Sequence, residues 1–451
     1  MRQTGTTAIR EEPGMGRLPL EGVRIVDCTQ VWGGPYCTTI LADLGAETIK
    51  LEPPYGEQAR GGRKPVGRHY YTKGESGEKP WNRDSTFVAR NRNKLSVSLN
   101  LSKERGKELF KELTRISDVV VDNFAAGVMD RLGVGYDELR KVKPDIIVAS
   151  GNGYGRDGPW SAYHSYGVIQ EPMCGFMSLT GYIGDDIPYR SGVDHIDPLT
   201  GIHMAGAIMA ALLHRHKTGE GQQINISMLE SGINFIGPAM LNYILNGKLL
   251  EHKGNRHNQD AMAPHGCYRC KGKDDWVAIA ISSKEDWSAF CKATGDLPWT
   301  KERRFSDLHN RLKNQDELDK LVEAWTMKKD KYEVMRILQK AGVAAGAVNS
   351  IGELFSEPHL KARRFWQTVR HPEIGPVTQM GPKFKFSGVA ERLARPAPLF
   401  AADTDFVFKK LIGLTHAELM QAIDDGIVFT EPADGKHSPR KSKPPEELVG
   451  G

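Results

Sequence analysis

The sequence predicts an α/β fold: a doubly wound parallel sheet over roughly the first 150 residues, followed by a smaller second domain of mixed strands and helices. Two observations predict it. Short apolar strand patterns alternate with amphipathic helix patterns from Leu18 onward, and the character changes beyond about residue 225, where strands shorten and helices become more polar.

The elements follow in order. Val23–Val26 reads as a buried strand. Pro35–Leu44 reads as a helix, started by Pro35 in its first turn and stopped by Gly45. Thr48–Leu51 supplies the next strand and closes a βαβ unit. Ser102 is placed to cap a helix whose Leu109, Phe110, Leu113 and Ile116 share one face, and Val119–Val121 and Ile146–Ala149 are further strands. Parallel strands with crossover helices wind right-handed, and their ligands sit outside the strand C-termini. A long helix over Gly201–His216 ends at the turn signal Lys217-Thr218-Gly219-Glu220-Gly221, and Gln223–Ser227 reads as a strand. The second domain carries a strand at Trp276–Ile281 and helices near Lys284–Cys291 and Gln315–Lys328. Strand-and-turn patterning returns at Gly342–Val348 and around Arg370-His371-Pro372-Glu373, and a helix is expected near Thr415–Ile423. The Pro- and Lys-rich stretch from Glu431 is expected to be disordered.

Composition narrows the function. Hydrophobic residues make up 39% of 451, which fits a globular chain and excludes fibrous and low-complexity classes. The 61 Lys and Arg exceed the 56 Asp and Glu by only five and are not gathered in blocks, which suits an anionic small ligand better than a nucleic acid. The apolar stretch Met204–Leu213 is short of the ~20 residues of a membrane span, and residues 1–16 lack a signal-peptide core, so a soluble, cytoplasmic protein without a membrane partner is expected. Six Cys show no disulfide framework, and Cys267 and Cys270 lack the second ligand pair of a zinc site, so no metal is expected.

Motifs of nucleotide and hydrolase chemistry fail on context. Gly153-Tyr154-Gly155-Arg156-Asp157-Gly158 matches G-x-G-x-x-G, but Pro159-Trp160 follows where a helix should receive a pyrophosphate. Neither a P-loop nor a G-x-S-x-G elbow occurs. What remains is a group of carboxylates in a Gly-rich region, Glu171, Asp185, Asp186, Asp194 and Asp197, with Asp185-Asp186 also readable as a plain turn. His164, His195, His203, His257 and His265 are individually available as bases, with no metal-helix spacing among them.

Nine blocks in order resemble the class III CoA-transferases, over about residues 18–425. They are LPLEGVRIVD, GPYCTTILADLGAETIKLEPP, NRNKLSVSLNL, DVVVDNFAAGVMDRLG, GYGRDGPW, TGYIGDDIPYRSG, HKTGEGQQINISMLES, GNRHNQDAMAPHGCYRC and AGVAAGAVNSIGELFSEPHLKAR. The resemblance implies a large Rossmann-like domain with a smaller α+β domain and an interlocked dimer. The expected organisation is a disordered N-terminus over 1–17, the large domain's N-terminal part over 18–220, linker and small domain over 221–340, a return to the large domain over 341–428, and a disordered tail over 429–451.

It also implies a reaction in which an Asp carboxylate attacks an acyl-CoA thioester and passes through aspartyl anhydride and aspartyl-CoA thioester intermediates. Coenzyme A thioesters would be substrates, with no permanently bound cofactor. Val31, Asn123, Phe124 and Arg131 fall where the family holds CoA, Arg131 as a phosphate partner, with Arg60 a further candidate. The nucleophile is expected shortly after Thr180-Gly181, in a stretch one residue longer here: strict counting lands on Gly184, and an extra residue ahead of the carboxylate makes it Asp185. Asp186 is the neighbouring alternative and Glu171 a more distant one. Asn258-Gln259-Asp260 replace a glycine run after Gly254-Asn255-Arg256-His257, which implies a stiffer lid.

Two other readings stay open. The related α-methylacyl-CoA racemase uses a His and an Asp as paired bases; the His of its Gly-His-Asp segment aligns with Tyr166 and the Asp after it with Gly167, which argues against racemisation, although Asp197 resembles the second base. The altered nucleophile loop also fits a non-catalytic subunit of a heteromeric transferase. Succinyl-CoA as donor and a dicarboxylate such as benzylsuccinate or malate as acceptor are the substrates the resemblance suggests.

Overall fold

The computed structural model describes residues 16–54, 60, 71–185, 187–389 and 395–433. They form two compact units, one of Met1–Cys174, Asp194–Phe235 and Ala362–Gly451, the other of Gly175–Val193 and Ile236–Lys361. The expectations for the first fifteen residues, for Asp186 and for most of the tail lie outside the described residues.

The first unit is built on a seven-stranded sheet of β1 (Arg24–Asp27), β2 (Glu47–Glu52), β3 (Lys94–Leu99), β4 (Val119–Asp122), β5 (Ile147–Asn152), β6 (Gln223–Ser227) and, numbered last in the chain, β12 (Val428–Phe429). The spatial order is β12-β3-β2-β1-β4-β5-β6, parallel except that β12 pairs antiparallel with β3 and closes that edge. Strands buried on both faces need apolar side chains in succession. Accordingly Ile25, Val119, Val121 and Ile147 face one layer while Val26, Val120 and Val148 face the other. Helix Glu104–Arg115 covers the second layer with Leu109, Phe110 and Leu113. Helices Gly33–Asp43 and Ile196–Thr218 cover the first.

Two local expectations change. Ser102 does not cap the helix after it: its N–H and hydroxyl both donate to Asn100 Oδ1, and Lys103 stands at the N-cap without a side-chain capping bond. An Asn side chain competes for the same donors in a local turn. Ile116 is the C-cap residue and is exposed, one turn beyond the buried stripe. Helix Ile196–Thr218, by length and composition, could cross a membrane. Here Ile196, Thr200, Gly201, Met204, Ala205, Ile208 and Ala211 form its buried stripe, against Gly33–Asp43 and the sheet. Gly201 permits that approach, since a Cβ there would lie 2.5 Å from the Gly33 carbonyl oxygen.

β3 is the strand that polarity disguised. Its Lys94, Ser96 and Ser98 alternate with apolar residues as if facing water, yet all are buried. Lys94 Nζ donates to Asp27 Oδ2 at 2.9 Å and Ser96 Oγ donates to Glu52. Asp27 also accepts from Thr29 and Thr38, and Lys50 lies 3.8 Å away. Burial pushes its pKa up, but Lys50, Lys94 and the Thr29 and Lys94 hydrogen bonds outweigh it and hold the carboxyl well below the usual range.

β10 (Trp366–His371) and β11 (Gly375–Met380) add an antiparallel hairpin to this unit. In the second unit β7 (His265–Arg269), β8 (Trp276–Ala280) and β9 (Ala344–Ala347) form an antiparallel sheet. Helices Lys284–Ala293, Gln315–Thr326 and Lys331–Lys340 pack on it through Phe290, Leu318, Val322, Val334 and Leu338.

Candidate active site

In the first unit the chain runs from β1 outward to β2 and β3 on one side, then crosses to β4, β5 and β6 on the other. The crevice beyond the carboxyl ends of β1 and β4 is therefore the topological switch point, where open parallel sheets bind ligands. The loops leaving those two strands meet there. Asn123 Nδ2 donates to the Gln30 carbonyl at 2.8 Å, and the Gln30 N–H donates back to Asn123 Oδ1 at 2.7 Å. The next residue, Val31, has φ 66° and is 51% exposed. A β-branched residue in left-handed backbone is strained, and such strain collects at functional sites. Arg90 closes the loop from the far side: Nη1 donates to the Val31 carbonyl at 3.0 Å, and the guanidinium lies 4.1 Å over the Trp32 ring.

A cavity of about 220 Å³ opens at this edge, lined by Gln30, Val31, Lys50, Arg60, Phe87 and Arg90 among others. Of the CoA-binding residues expected from sequence, Val31 and Asn123 are brought together on this loop pair. Arg60 lines the cavity, but its guanidinium is buried, donating twice to Glu52 and once to Asn82 and stacking 3.9 Å from the Phe87 ring centroid. A direct phosphate contact by Arg60 would compete with a bidentate carboxylate pair. Phe124 packs half-buried against the core beneath the crevice. Arg131, in the short helix Val128–Arg131, is exposed and donates to the Ala126 carbonyl.

Asp122, which ends β4 just ahead of Asn123, is fully buried and accepts from Ser150 Oγ and the Phe124 N–H. Burial pushes its pKa up to about 6 against those two bonds. At the end of β5, the buried side-chain amide of Asn152 finds no hydrogen-bond partner for Oδ1 or Nδ2 among the described residues. Gly153–Gly158 runs irregularly after β5, and the next helix does not begin until Gly167, so this glycine string has no helix N-terminus to offer a pyrophosphate.

Carboxylates gather behind the same loop. Asp197, in the first turn of helix Ile196–Thr218, is half-buried and accepts from the backbone N–H groups of Gly33 and Gly167, with Arg90 nearby. Burial, helped by the charge of Glu171, holds its pKa above the ordinary range, while those N–H groups and Arg90 pull the other way. Burial lowers the Arg90 pKa, and Asp197 and Asp84 oppose that shift. Glu171 is fully buried and accepts from the His195 N–H at 2.8 Å. Sequence reasoning had no motif for Gln30 or Arg90, because a backbone clamp and a guanidinium over an indole leave no spacing signature.

Asp185 belongs to the second unit. Its carboxylate accepts from the Tyr189 hydroxyl at 2.8 Å, and its carbonyl oxygen lies 3.0 Å from His252 Nε2. Tyr182 packs edge-on against Tyr189, and the Gly254 N–H donates to the Gly181 carbonyl. A cavity of about 530 Å³ within this unit is lined by Tyr182, Ile183, Lys253, Arg256, His265 and Tyr268 among others. The segment expected to act as a stiff lid is tied down. Lys253 Nζ donates to both Asp260 oxygens, and Arg256 donates to Asp316 and Asp319. Among the described residues no three His, Cys, Asp or Glu side chains are grouped to hold a metal ion.

Residues 20–404 match the model of CoA-transferase family III. The succinyl-CoA:glutarate CoA-transferase of Mus musculus is 31% identical over 412 residues, covering 91% of this chain and 90% of that protein. The acetyl-CoA:oxalate CoA-transferase of Acetobacter aceti is 33% identical over 386 residues, 85% of this chain and 93% of its own. A crystal structure of a CAIB/BAIF family protein from Brucella suis superposes with a TM-score of 0.76 at 28% identity, covering 88% of this chain and 100% of that one.

Proposed function

Because the chain belongs to CoA-transferase family III, we propose that it moves CoA from succinyl-CoA to a small dicarboxylic acid through an acylated carboxylate of its own. The observation that carries this reading is the switch-point crevice, where clamped Gln30, strained Val31 and Arg90 line a cavity beside a half-buried carboxylate. Family relatives acting on succinyl-CoA with glutarate and on oxalate support the choice of donor and of a dicarboxylate acceptor. Benzylsuccinate and malate belong to the same chemical class.

In this reading Val31 and Asn123 shape the CoA site with Phe124 beneath them, and Arg131 and Arg60 supply positive charge toward the phosphates. The carboxylates in contention for the nucleophile are Asp185 and Asp197. Exposed apolar residues on helix Gly237–Asn246, none of whose residues is buried, support an interlocked dimer. A cytoplasmic location completes the reading.

The test is incubation with succinyl-CoA and, separately, glutarate, malate, oxalate and benzylsuccinate, with mass spectrometry of the CoA esters. A new dicarboxylyl-CoA with an equal amount of succinate, and no accumulation of free CoA, is expected for at least one acceptor. Hydrolysis alone, or no turnover with any of them, overturns the reading.

A further inference from the structure

Resting on the transferase reading, with Asp197 as the carboxylate that is acylated, we propose that Glu171 is a second, non-reacting carboxylate of the site: it pins the turn that carries Asp197, and its charge opposes the positive groups around that turn. Gly167 and Glu171 stand four residues apart in helix Gly167–Met173, so they share a face with Cβ positions about 6 Å apart. That face meets the turn leading into helix Ile196–Thr218. A Cβ built on Gly167 would lie 1.9 Å from Asp197 Oδ2 and 3.2 Å from Asp194 Cβ. One turn further on, Glu171 is fully buried, and its Oε1 accepts from the His195 N–H at 2.8 Å and lies 3.6 Å from His195 Nδ1. His195 is the N-cap residue of the long helix, so this bond fixes where the helix begins and with it the place of Asp197 two residues later.

A purely structural pin does not call for a carboxylate. Glutamine at 171 would present the same oxygen to the His195 N–H without burying a negative charge beside Asp197, and like charges held together away from water oppose one another's ionisation. Arrangements that set one titratable group against another are characteristic of functional sites.

The surroundings of Asp197 give that charge a task. Helix Ser85–Arg90 brings the Arg90 guanidinium, helix Gly33–Asp43 brings the Gly33 N–H, and helix Gly167–Met173 brings the Gly167 N–H and Glu171, while Asp194 and His195 stand on the same turn. Arg90, the two N–H groups and the positive end of helix Ile196–Thr218 all favour the ionised carboxylate and so weaken it as a nucleophile. Burial and Glu171 act in the opposite sense and prevail. Arg90 can therefore stand close to the reacting carboxylate without quenching it, because Glu171 stands behind it. Glu171 is a positioning residue: it acts through Asp197 and the His195 turn, not on the substrate.

The test uses the full chain carrying Glu171→Gln, which keeps the acceptor for His195 and drops the charge, and Glu171→Asp, which keeps the charge on an arm too short for that bond. Because kcat/KM reports the ionisations of the free enzyme, it is measured for succinyl-CoA from about pH 4.5 to 8 with saturating glutarate, whose own titration is common to every variant. Urea midpoints are read beside it. Glu171→Gln is expected to keep a urea midpoint no lower than wild type and a KM for succinyl-CoA within about twofold, with the acid limb of its profile moved to lower pH. Glu171→Asp is expected to leave the acid limb in place and to lose about a hundredfold in kcat through misplacement of the turn. A purely structural role predicts the wild-type profile for Glu171→Gln. An acid limb that stays put or rises in Glu171→Gln, or a Glu171→Gln chain that does not fold, overturns the assignment alone, the wild-type chain still transferring CoA. A wild-type chain that transfers no CoA overturns the transferase reading and this assignment with it.

Discussion

Val31→Gly separates backbone strain from ligand contact at the crevice. A side chain in left-handed backbone costs about 1–2 kcal/mol, which glycine does not pay. Against that, glycine loses about 0.5–1 kcal/mol through the greater freedom of its unfolded chain. The two nearly cancel, and Val31 is 51% exposed, so little packing is lost. The folding stability of Val31→Gly is therefore expected to stay within about 1 kcal/mol of wild type, on the stabilised side. Substrate binding should respond differently. Fully burying a valine side chain is worth about 1.5–3 kcal/mol, so covering the exposed half with ligand is worth about 1 kcal/mol, or roughly a fivefold rise in KM for acyl-CoA when it is removed. Since ground and transition states lose the same contact, kcat should hold. Urea denaturation and steady-state kinetics read the two quantities, and Val31→Ala, which keeps the strain but loses most of the contact, is the control. An unchanged KM, or a stability loss above about 1 kcal/mol in Val31→Gly, refutes the reasoning.

Four further outcomes follow from the buried charges and the exposed face. Lys94→Met strips Asp27 of a 2.9 Å partner inside the sheet and should cost about 3–5 kcal/mol in urea denaturation; a loss below about 1 kcal/mol counts against a structural pair. The depressed pKa of Asp27 means that its contribution is full above the unfolded value near 3.9 and fades as pH falls further, so the wild-type urea midpoint should drop steeply below about pH 4 and that of Asp27→Asn more gently. Asp122 has the opposite sign: with its folded pKa raised to about 6, the folded state binds the extra proton between about pH 4 and 6, and stability falls as pH rises through that window. Asp122→Asn should remove that fall, so its urea midpoint should gain on wild type from pH 4.5 to 7.5; a constant difference speaks against it. Finally, the chain should sediment as a dimer, and Leu245→Asp, at a position 76% exposed on the apolar helix Gly237–Asn246, should shift it toward monomer, whereas a wild-type monomer would remove the dimer.

What could be read from sequence, and what could not, divides along one physical line. Strands β1, β4 and β5 were legible because both their faces meet apolar layers, and runs such as Val119–Val121 record that directly. β3 was hidden because burial there is satisfied by ion pairing: Lys94 and Ser96 look solvent-facing until Asp27 and Glu52, each on another strand, are placed beside them. The site obeys the same rule. Val31 and Asn123 were expected from the family resemblance, but the clamp between the two loops joins the Asn123 side chain to backbone atoms of Gln30, which carry no residue code. Arg90 is one arginine among many until its guanidinium lies over Trp32. The expectation of Asp185 rests on counting along the chain from Thr180-Gly181. The packing of Gly201 against Gly33 brings helix Ile196–Thr218 close to helix Gly33–Asp43, and Asp197 occupies the space beside Gly167. Glycine at 167 and aspartate at 197 are thirty residues apart and meaningless singly. As a pair they are a steric statement, and only the folded chain writes it.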